Sequence, residues 1–476
     1  MTRTLLMLSA ALAVGGCSTL QSLNPFGGGE SNEEIRERQG EIAGERIPIL
    51  SIDDQLQVGG SVPAGSLVLP EPYVNRDWPQ AGGNSAHAMG HTLAGPELSR
   101  AWREGVGDGS GRKGRVVAPP VVADGMIYVM DGDNTVRALD ESDADTVFRV
   151  EIEKERIGRT RTSGTGIVDR IRDPMSIFDR GGKDGESVGG GVAVGEGKLF
   201  VSSGLGLMGA YDAKTGAVLW QIATRTPLHS APTYADGRVF AVSDDNEIFA
   251  FDADTGDILW TYQGIIEPAR MLTATAPAVV DEVVLAPFSS GELVALRVQN
   301  GGVIWQDALS STGRLTPLAT LNDIASGPVV ADGFVIASAQ SGNTTAFDLR
   351  TGQRIWAQPA GMIGFPLVVG DAVFGVTVNG EVVAMNKLDG TVSWLTQLRA
   401  YGKEKKRKDR ISWIGPVMAG GKLVVASSKG EMVTIDPQTG AILQEAKIGD
   451  PVYVPPIVAN QTVYFLTDDA DLVAFR

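Results

Sequence analysis

The side chains best suited to catalysis or metal binding are scarce in this sequence. It contains one cysteine and three histidines, His87, His91 and His229. His87 and His91 have the i, i+4 spacing of two zinc ligands on one face of a helix. Glycines flank this segment and argue against a helix, and no third ligand lies beside it. We therefore expect both histidines to be surface residues and expect no metal site.

Aspartates are numerous and could act as catalytic carboxylates, but many of them lie at the first position of a tight turn. In a tight turn the first carboxylate accepts hydrogen bonds from backbone N–H groups further along, which gives it a structural role. This description fits Asp140, Asp212, Asp252, Asp348 and Asp436. Gly-x-Ser-x-Gly occurs at residues 185–189, but no suitable histidine accompanies it in the sequence, so a hydrolase triad is not indicated either. The sequence offers no catalytic residues.

The lone cysteine belongs to an N-terminal targeting signal. Arg3 precedes an apolar run, residues 5–14, that is too short to span a bilayer, and Gly15-Gly16-Cys17 follows it. This pattern indicates a signal peptide over residues 1–16, and its ending resembles the lipobox of bacterial lipoproteins. The resemblance implies lipidation of Cys17, and Ser18 after it implies sorting to the outer membrane. The alternative is an ordinary secretory signal with an incidental cysteine.

Most of the remaining chain repeats one unit, which residues 231–260 represent best. Three short apolar runs and a fourth ending at Trp260 are separated by Ala-Asp-Gly, Asp-Asp-Asn and Asp-x-x-Thr-Gly turns. Apolar runs cut by tight turns predict a four-stranded antiparallel sheet. The turn glycine recurs at intervals of about 40 to 50 residues, which is typical of propeller blades. Its copies are Gly216, Gly256, Gly301, Gly352, Gly390 and Gly440.

The two ends of the repeat region complement each other. Inner-strand motifs such as Ala276-Pro277 begin eight repeats, and the eighth stops after its third strand, at Arg476. Residues 98–102 have the form of a fourth strand with Trp102 but have no repeat of their own. Pairing the two closes the ring and removes open sheet edges. We therefore predict an all-β fold, an eight-bladed β-propeller over residues 76–476 closed by an N-terminal strand.

Three segments depart from the repeat. Residues 17–75 lack periodicity and read as a flexible lipidated tether, and residues 151–189 predict a solvated insertion or, alternatively, a functional flap. A basic cluster at 403–410 stands out in a chain of net charge −16. It predicts a solvated loop or a contact for an acidic partner or lipid headgroups. The overall negative charge argues against nucleic acid, and against direct adhesion to anionic lipid, as the main partner.

The repeat motif carries a family resemblance. Asp-x-x-Thr-Gly-x-x-x-Trp, with Asp-Trp-Pro-Gln-Ala-Gly-Gly-Asn at 77–84 ahead of it, resembles the propeller of PQQ-dependent quinoprotein dehydrogenases. Together with the lipobox it is more similar to the BamB family, lipoproteins of the outer-membrane β-barrel assembly machinery. The chain lacks the vicinal cysteines of many quinoproteins and a C-x-x-C-H haem motif. The resemblance implies a non-enzymatic scaffold without a cofactor.

Two other functions stay open: a PQQ-binding periplasmic dehydrogenase or sensor, and a structural lipoprotein for another envelope protein. In the BamB family an arginine loop and an acidic loop contact the POTRA domains of the barrel-inserting subunit. The corresponding segments here are 267–272, with Arg270 shifted by about two residues, and 321–325, where Asp323 is kept and Ala325 replaces the second acid. The resemblance implies that Arg270 and Asp323 bind this partner at the periplasmic face of the outer membrane.

Overall fold

The computed structural model contains strands almost throughout the part of the chain that it describes. The described residues are 56–59, 67–111, 114–152, 188–267, 275–309, 323–324, 327–340 and 342–476. Thirty-two strands in these ranges form eight four-stranded antiparallel sheets. No helix in these ranges is long and apolar enough to cross a membrane.

Each sheet is one blade of a propeller, numbered here in chain order. Blade 1 contains β2 (Val121–Ala123), β3 (Met126–Met130), β4 (Thr135–Asp140) and β5 (Thr146–Glu151), and blade 2 contains β6 (Gly190–Gly195), β7 (Lys198–Ser203), β8 (Leu207–Asp212) and β9 (Val218–Ala223). Blade 3 contains β10 (Thr233–Ala235), β11 (Arg238–Val242), β12 (Glu247–Asp252) and β13 (Ile258–Gln263), and blade 4 contains β14 (Ala278–Val280), β15 (Val283–Pro287), β16 (Glu292–Arg297) and β17 (Val303–Ala308).

The second half of the ring repeats this order. Blade 5 contains β18 (Val329–Ala331), β19 (Phe334–Ser338), β20 (Thr344–Asp348) and β21 (Arg354–Gln358), and blade 6 contains β22 (Leu367–Val369), β23 (Ala372–Val376), β24 (Glu381–Asn386) and β25 (Val392–Gln397). A small hairpin of β26 (Tyr401–Lys403), a 3₁₀ turn (Glu404–Lys406) and β27 (Lys408–Arg410) precedes blade 7. Blade 7 contains β28 (Trp413–Ala419), β29 (Lys422–Ser427), β30 (Glu431–Ile435) and β31 (Ile442–Lys447), and blade 8 contains β32 (Ile457–Ala459), β33 (Thr462–Leu466), β34 (Asp471–Phe475) and β1 (Arg100–Gly105).

The middle strands of a blade are buried on both sides because neighbouring blades cover both faces. In blade 3, Phe240 and Ile248 join a hydrophobic cluster that continues into blade 4 through Val284 and Val294. This packing explains the continuous apolar runs of the sequence, since a sheet with one solvated face would alternate. The outer strand is exposed apart from its aromatic residue, Trp260 in blade 3.

The third turn of each repeat packs against the preceding blade. In blade 3 the Asp252 carboxylate accepts backbone hydrogen bonds from Asp254 at 3.0 Å and Thr255 at 2.9 Å, which hold its pKa below the usual value. Gly256 has φ 78°, and a Cβ there would lie 2.6 Å from Cε3 of Trp220. Glycine is therefore required twice, by the backbone conformation and by the indole that packs on it.

The indole nitrogen completes this contact between blades. Trp220 Nε1 donates a hydrogen bond to the Ala253 carbonyl, 3.0 Å away in the next blade. The same bond recurs from Trp260 to Val298, Trp305 to Leu349, Trp356 to Lys387 and Trp394 to Pro437. The repeated Asp, Gly and Trp positions thus hold each blade to its neighbour, which confirms their structural role.

The predicted closure of the ring is confirmed. β1 pairs antiparallel with β34, and Trp102 lies opposite Ala474, as Trp260 lies opposite Ala250 in blade 3. The strand begins at Arg100, two residues later than predicted, because Leu98 is buried in the core beside it. Arg100–Gly105 supplies the fourth strand that blade 8 would otherwise lack.

The strand order gives the ring two different faces. Turns between the first and second and between the third and fourth strands lie on one face, called here the turn face. Connections between blades and turns between the second and third strands lie on the other, called here the loop face. The first strand of each blade lines the central channel and ends at the turn face.

Residues 73–93, called here the hub segment, cross the turn-face end of the channel. Their backbone hydrogen bonds reach the inner strands of successive blades: Asn75 to blade 8, Trp78 to blade 1, Pro79 to blade 2, Ser85 to blade 4, Ala86 to blade 5 and Thr92 to blade 7. The Gln80 side chain accepts a bond from the Tyr234 backbone of blade 3, 2.8 Å away. The His87 ring packs at 4.7 Å on Phe365, just before blade 6. The hub segment therefore contacts all eight blades.

The predicted tether also contacts the ring where it is described. Gly59 donates a backbone hydrogen bond to Val392, and Gln438 donates one to the Leu67 carbonyl at 2.9 Å. These contacts use isolated apolar residues and backbone groups, which leave no periodic pattern in a sequence. Cys17 lies outside the described residues, as does most of the 151–189 insertion.

Candidate functional site

The connection between blades 3 and 4 presents an apolar pair to solvent on the loop face. Ile265 and Ile266 are 57% and 63% exposed. They follow β13 directly and precede residues 268–274, which include Arg270 and lie outside the described residues. Apolar side chains this exposed are common features of protein-binding surfaces when they lie together.

The backbone beneath this pair is fixed by side chains from both blades. The N–H of Ile265 donates to Oε2 of Glu292 at 2.9 Å, and its carbonyl accepts a hydrogen bond from Nδ2 of Asn246. Oδ1 of Asn246 in turn accepts from the Ser289 backbone at 3.1 Å. The Ile265 backbone is therefore held in place, so binding a partner would require little ordering at this position.

Asp323 lies in the neighbouring connection, between blades 4 and 5. Its residue is 4% exposed, and its carbonyl accepts a hydrogen bond from the Gln340 backbone at 3.1 Å. Ile324 beside it belongs to the core between the two blades. Contact of Asp323 with a partner stays a prediction, as does that of Arg270. The burial of Asp323 means that its substitution also affects packing.

The expectation that His87 and His91 lie on the surface is wrong. Both are buried, and each donates its Nδ1–H to a backbone carbonyl, that of Pro328 and that of Pro70, at 2.7 Å. Burial lowers the pKa of His87 to about 4, although its backbone hydrogen bond raises it. The histidines hold the hub segment in place, a role that residue spacing does not reveal. Among the described residues no group of His, Cys, Asp and Glu side chains is placed to hold a metal ion.

A small cavity lies in the channel above the hub segment. Its volume is about 30 Å³, and it is lined by Trp78, His87, Met89 and inner-strand prolines. Nε1 of Trp78 and Nε2 of His87 are buried without a hydrogen-bond partner. A neutral imidazole whose Nδ1 donates can accept at Nε2, so two of the lining residues carry one unpaired donor and one unpaired acceptor. The space suits one or two water molecules.

The basic cluster forms an ordered hairpin, called here the basic hairpin, of residues 401–410. It projects from the loop face between blades 6 and 7, and its residues 402–410 are exposed. Arg410 donates to the Val378 carbonyl at 2.7 Å, and the Ile411 backbone donates to Ala400 at 2.9 Å. The stem is thus fixed to the ring, while the tip is free to meet a partner.

The blades and their tryptophan contacts define a PQQ-like eight-bladed propeller, a class that contains both enzymes and binding proteins. A family model described as "Outer membrane protein assembly factor BamB" matches residues 101–183, 175–396 and 398–476. The chain belongs to the BamB family. The BamB of Salmonella typhimurium (strain LT2) is 31% identical over 356 residues, which are 75% of this chain and 83% of that protein.

Solved structures agree on the fold. The crystal structure of BamB from Moraxella catarrhalis has a TM-score of 0.63 at 18% identity and covers 80% of this chain and 100% of that chain. A quinohemoprotein alcohol dehydrogenase from Pseudomonas putida HK5 has a TM-score of 0.58 at 14% identity and covers 84% of this chain and 80% of that chain. At such identities the likeness concerns the fold alone. The eight-bladed propeller and the family resemblance are both confirmed.

Proposed function

We propose that this protein is a non-enzymatic, lipid-anchored scaffold of the outer-membrane β-barrel assembly complex. In this proposal its loop face binds the POTRA domains of the barrel-inserting subunit, and Cys17 carries the lipid at the periplasmic face of the outer membrane. Membership of the BamB family supports the general role. The finer statement rests on the chemistry of the connection between blades 3 and 4.

The observation that carries the proposal is the exposed pair Ile265 and Ile266, with the Ile265 backbone held by hydrogen bonds, in the connection whose sequence continues to Arg270. Interfaces gain most of their affinity from a few apolar or arginine anchors that lose water on binding. The isoleucines supply apolar area, and the arginine four residues after Ile266 in the sequence adds a planar cation that can bind carboxylates or carbonyls. Because the backbone below is already hydrogen-bonded at both ends of Ile265, little conformational entropy is lost on binding.

The central cavity supports a scaffold over a quinoprotein. Ligand pockets for small molecules usually measure about 300 to 1,000 Å³. The cavity above the hub segment has about 30 Å³, and the unpaired groups around it suit water.

The test is the affinity of the protein for purified POTRA domains of the barrel-inserting subunit. We expect Ile265→Ser/Ile266→Ser and Arg270→Glu each to weaken binding at least tenfold, which corresponds to about 1.4 kcal/mol. Asp323→Ala should have a smaller effect, and its thermal stability should be measured alongside because the residue is buried.

A matched control exists on another blade. Val218 and Leu219 are 51% and 49% exposed on the outer strand of blade 2. Val218→Ser/Leu219→Ser makes the same chemical change away from the loop, and we expect unchanged affinity. Unchanged binding by the Ile265→Ser/Ile266→Ser and Arg270→Glu variants, or an equal loss in the control, would show that another surface binds the partner.

A further inference from the structure

The basic hairpin concentrates positive charge on an acidic protein. Residues 403–410 contain six cationic side chains and two acidic ones. Asp409 pairs with Lys429 at 2.6 Å, and this contact holds the pKa of Asp409 below its usual value. Lys405, Lys406 and Lys408 have no ion-pair partner within the described part of the chain. By contrast, Arg103, Arg354 and Arg399 on the ring are each paired with a carboxylate.

The shape of the hairpin keeps these cations outside the ring. The 3₁₀ turn Glu404–Lys406 ends at Arg407, which has φ 46°, and the chain then reverses into β27. Lys403 lies opposite Lys408 in the short ladder. Like charges held side by side repel each other, so the hairpin gains stability when anions approach it. The fixed stem keeps the charges from spreading apart.

The composition of the tip identifies the class of partner. Residues 402–409 contain no apolar side chain, and the Arg407 guanidinium covers the nearest ring, that of Tyr401, at 5.6 Å. Protein interfaces are depleted in lysine and rely on apolar or aromatic anchors. Lysine-rich segments bind anionic lipid headgroups without such anchors, because each cation interacts with the negative surface separately.

We propose that the basic hairpin binds the anionic phosphate headgroups of a lipid bilayer and so orients the loop face toward the membrane surface. Because the hairpin projects from the loop face, its binding turns that face toward the bilayer. The connection that contains Ile265 lies three blades away from the hairpin, so one protein can hold both partners at once.

Vesicle binding tests the proposal without any partner protein. All described strands lie within residues 100–475, so a chain beginning at Ser18 keeps the whole ring and lacks the lipid. We expect this chain to sediment with vesicles of phosphatidylcholine and phosphatidylglycerol in roughly equal amounts, and not with phosphatidylcholine alone. Raising the salt to about 0.5 M should release it, because the Debye length then falls to a few ångströms.

The decisive variant is Lys405→Glu/Lys406→Glu, for which we expect at least tenfold weaker binding to the anionic vesicles. Lys214→Glu/Arg350→Glu makes the same change of net charge on the turn face and should bind like the parent. Circular dichroism and thermal melts confirm that both variants fold. Equal binding to neutral vesicles, retained binding by the hairpin variant, or equal loss in the control would overturn the proposal. So would a hairpin variant that keeps vesicle binding but loses affinity for POTRA domains, because it would make the hairpin a protein contact.

Discussion

The turn face and the loop face of the ring use their sequences differently. On the turn face, turns such as Asp252 to Gly256 repeat because each must fit the tryptophan of the preceding blade. On the loop face, connections range from the few residues between β21 and β22 to the long insertion between β5 and β6. The repeated residues of this sequence are therefore the ones that pack neighbouring blades together. Candidate binding surfaces lie in the connections, where the repeat is interrupted. Three experiments test this contrast.

Removing the hub segment should have the largest effect. We expect a chain lacking residues 1–94 to show no cooperative thermal unfolding, although it keeps β1. The hub segment's hydrogen bonds to the inner strands are worth about 1 kcal/mol each, and buried Trp78 adds several more. Together these approach the roughly 5 to 15 kcal/mol by which a domain is stable. A chain lacking only residues 1–55 is the control, and similar melting of the two chains would contradict a central role for the hub segment.

Trp260→Ala tests the turn-face contacts within a single pair of blades. The substitution leaves a cavity against Gly301 and removes the hydrogen bond to Val298. We expect a loss of about 3 to 5 kcal/mol in the free energy of unfolding. Ile265→Ser/Ile266→Ser on the loop face should change it by less than about 0.5 kcal/mol. Chemical denaturation of both variants measures the difference, and equal losses would remove the contrast between the faces.

The free energy of unfolding should depend on pH because His87, in the hub segment, is buried and neutral. The pKa of His87 is lowered to about 4 in the folded protein and returns to 6.5 on unfolding. Above pH 6.5 both states are neutral, and between pH 6.5 and 4 only the unfolded state takes up the proton. Stability should therefore fall by roughly 3 kcal/mol over this interval as the pH decreases.

The matched variant is His87→Asn, whose amide can still donate to the Pro328 carbonyl but does not titrate. We expect it to be less stable at pH 7 and to lose less stability between pH 6.5 and 4. Denaturation curves at several pH values compare the two slopes. Parallel slopes would place the acid sensitivity of the ring elsewhere.

The propeller could be predicted because each blade repeats the same physical solution. Trp220, Gly256 and Asp252 occupy positions that packing and turn geometry prescribe, and their copies make the period visible. The closing strand could be predicted for the same reason, since an incomplete repeat and an orphan strand complement each other. The hub segment occurs only once in the sequence, so its position and contacts cannot be predicted from periodicity. The sequence therefore predicts a surface position for His87 and His91, although both donate to backbone carbonyls in the interior.

Less of the candidate binding site than of the propeller could be predicted from the sequence. Arg270 and Asp323 came from family resemblance, and their partner contacts stay predictions. Ile265 and Ile266 carry a signal that a sequence can show, an apolar pair outside any blade motif. What the sequence could not show is that Asn246 and Glu292 fix the backbone below them. Those contacts depend on the distance between two blades.

The closure of the ring also determines the order in which the protein can fold. The hub segment and β1 come early in the chain, but their partners come last, and Asn75 bonds to Val458 across 383 residues of sequence. Contacts of such long range form slowly, because the intervening chain must first be ordered. A chain that stops before β34 cannot complete blade 8, so it keeps an open sheet edge that chaperones and proteases can recognise. The ring can therefore close only after the C-terminal strand β34 has been synthesised and has paired with β1.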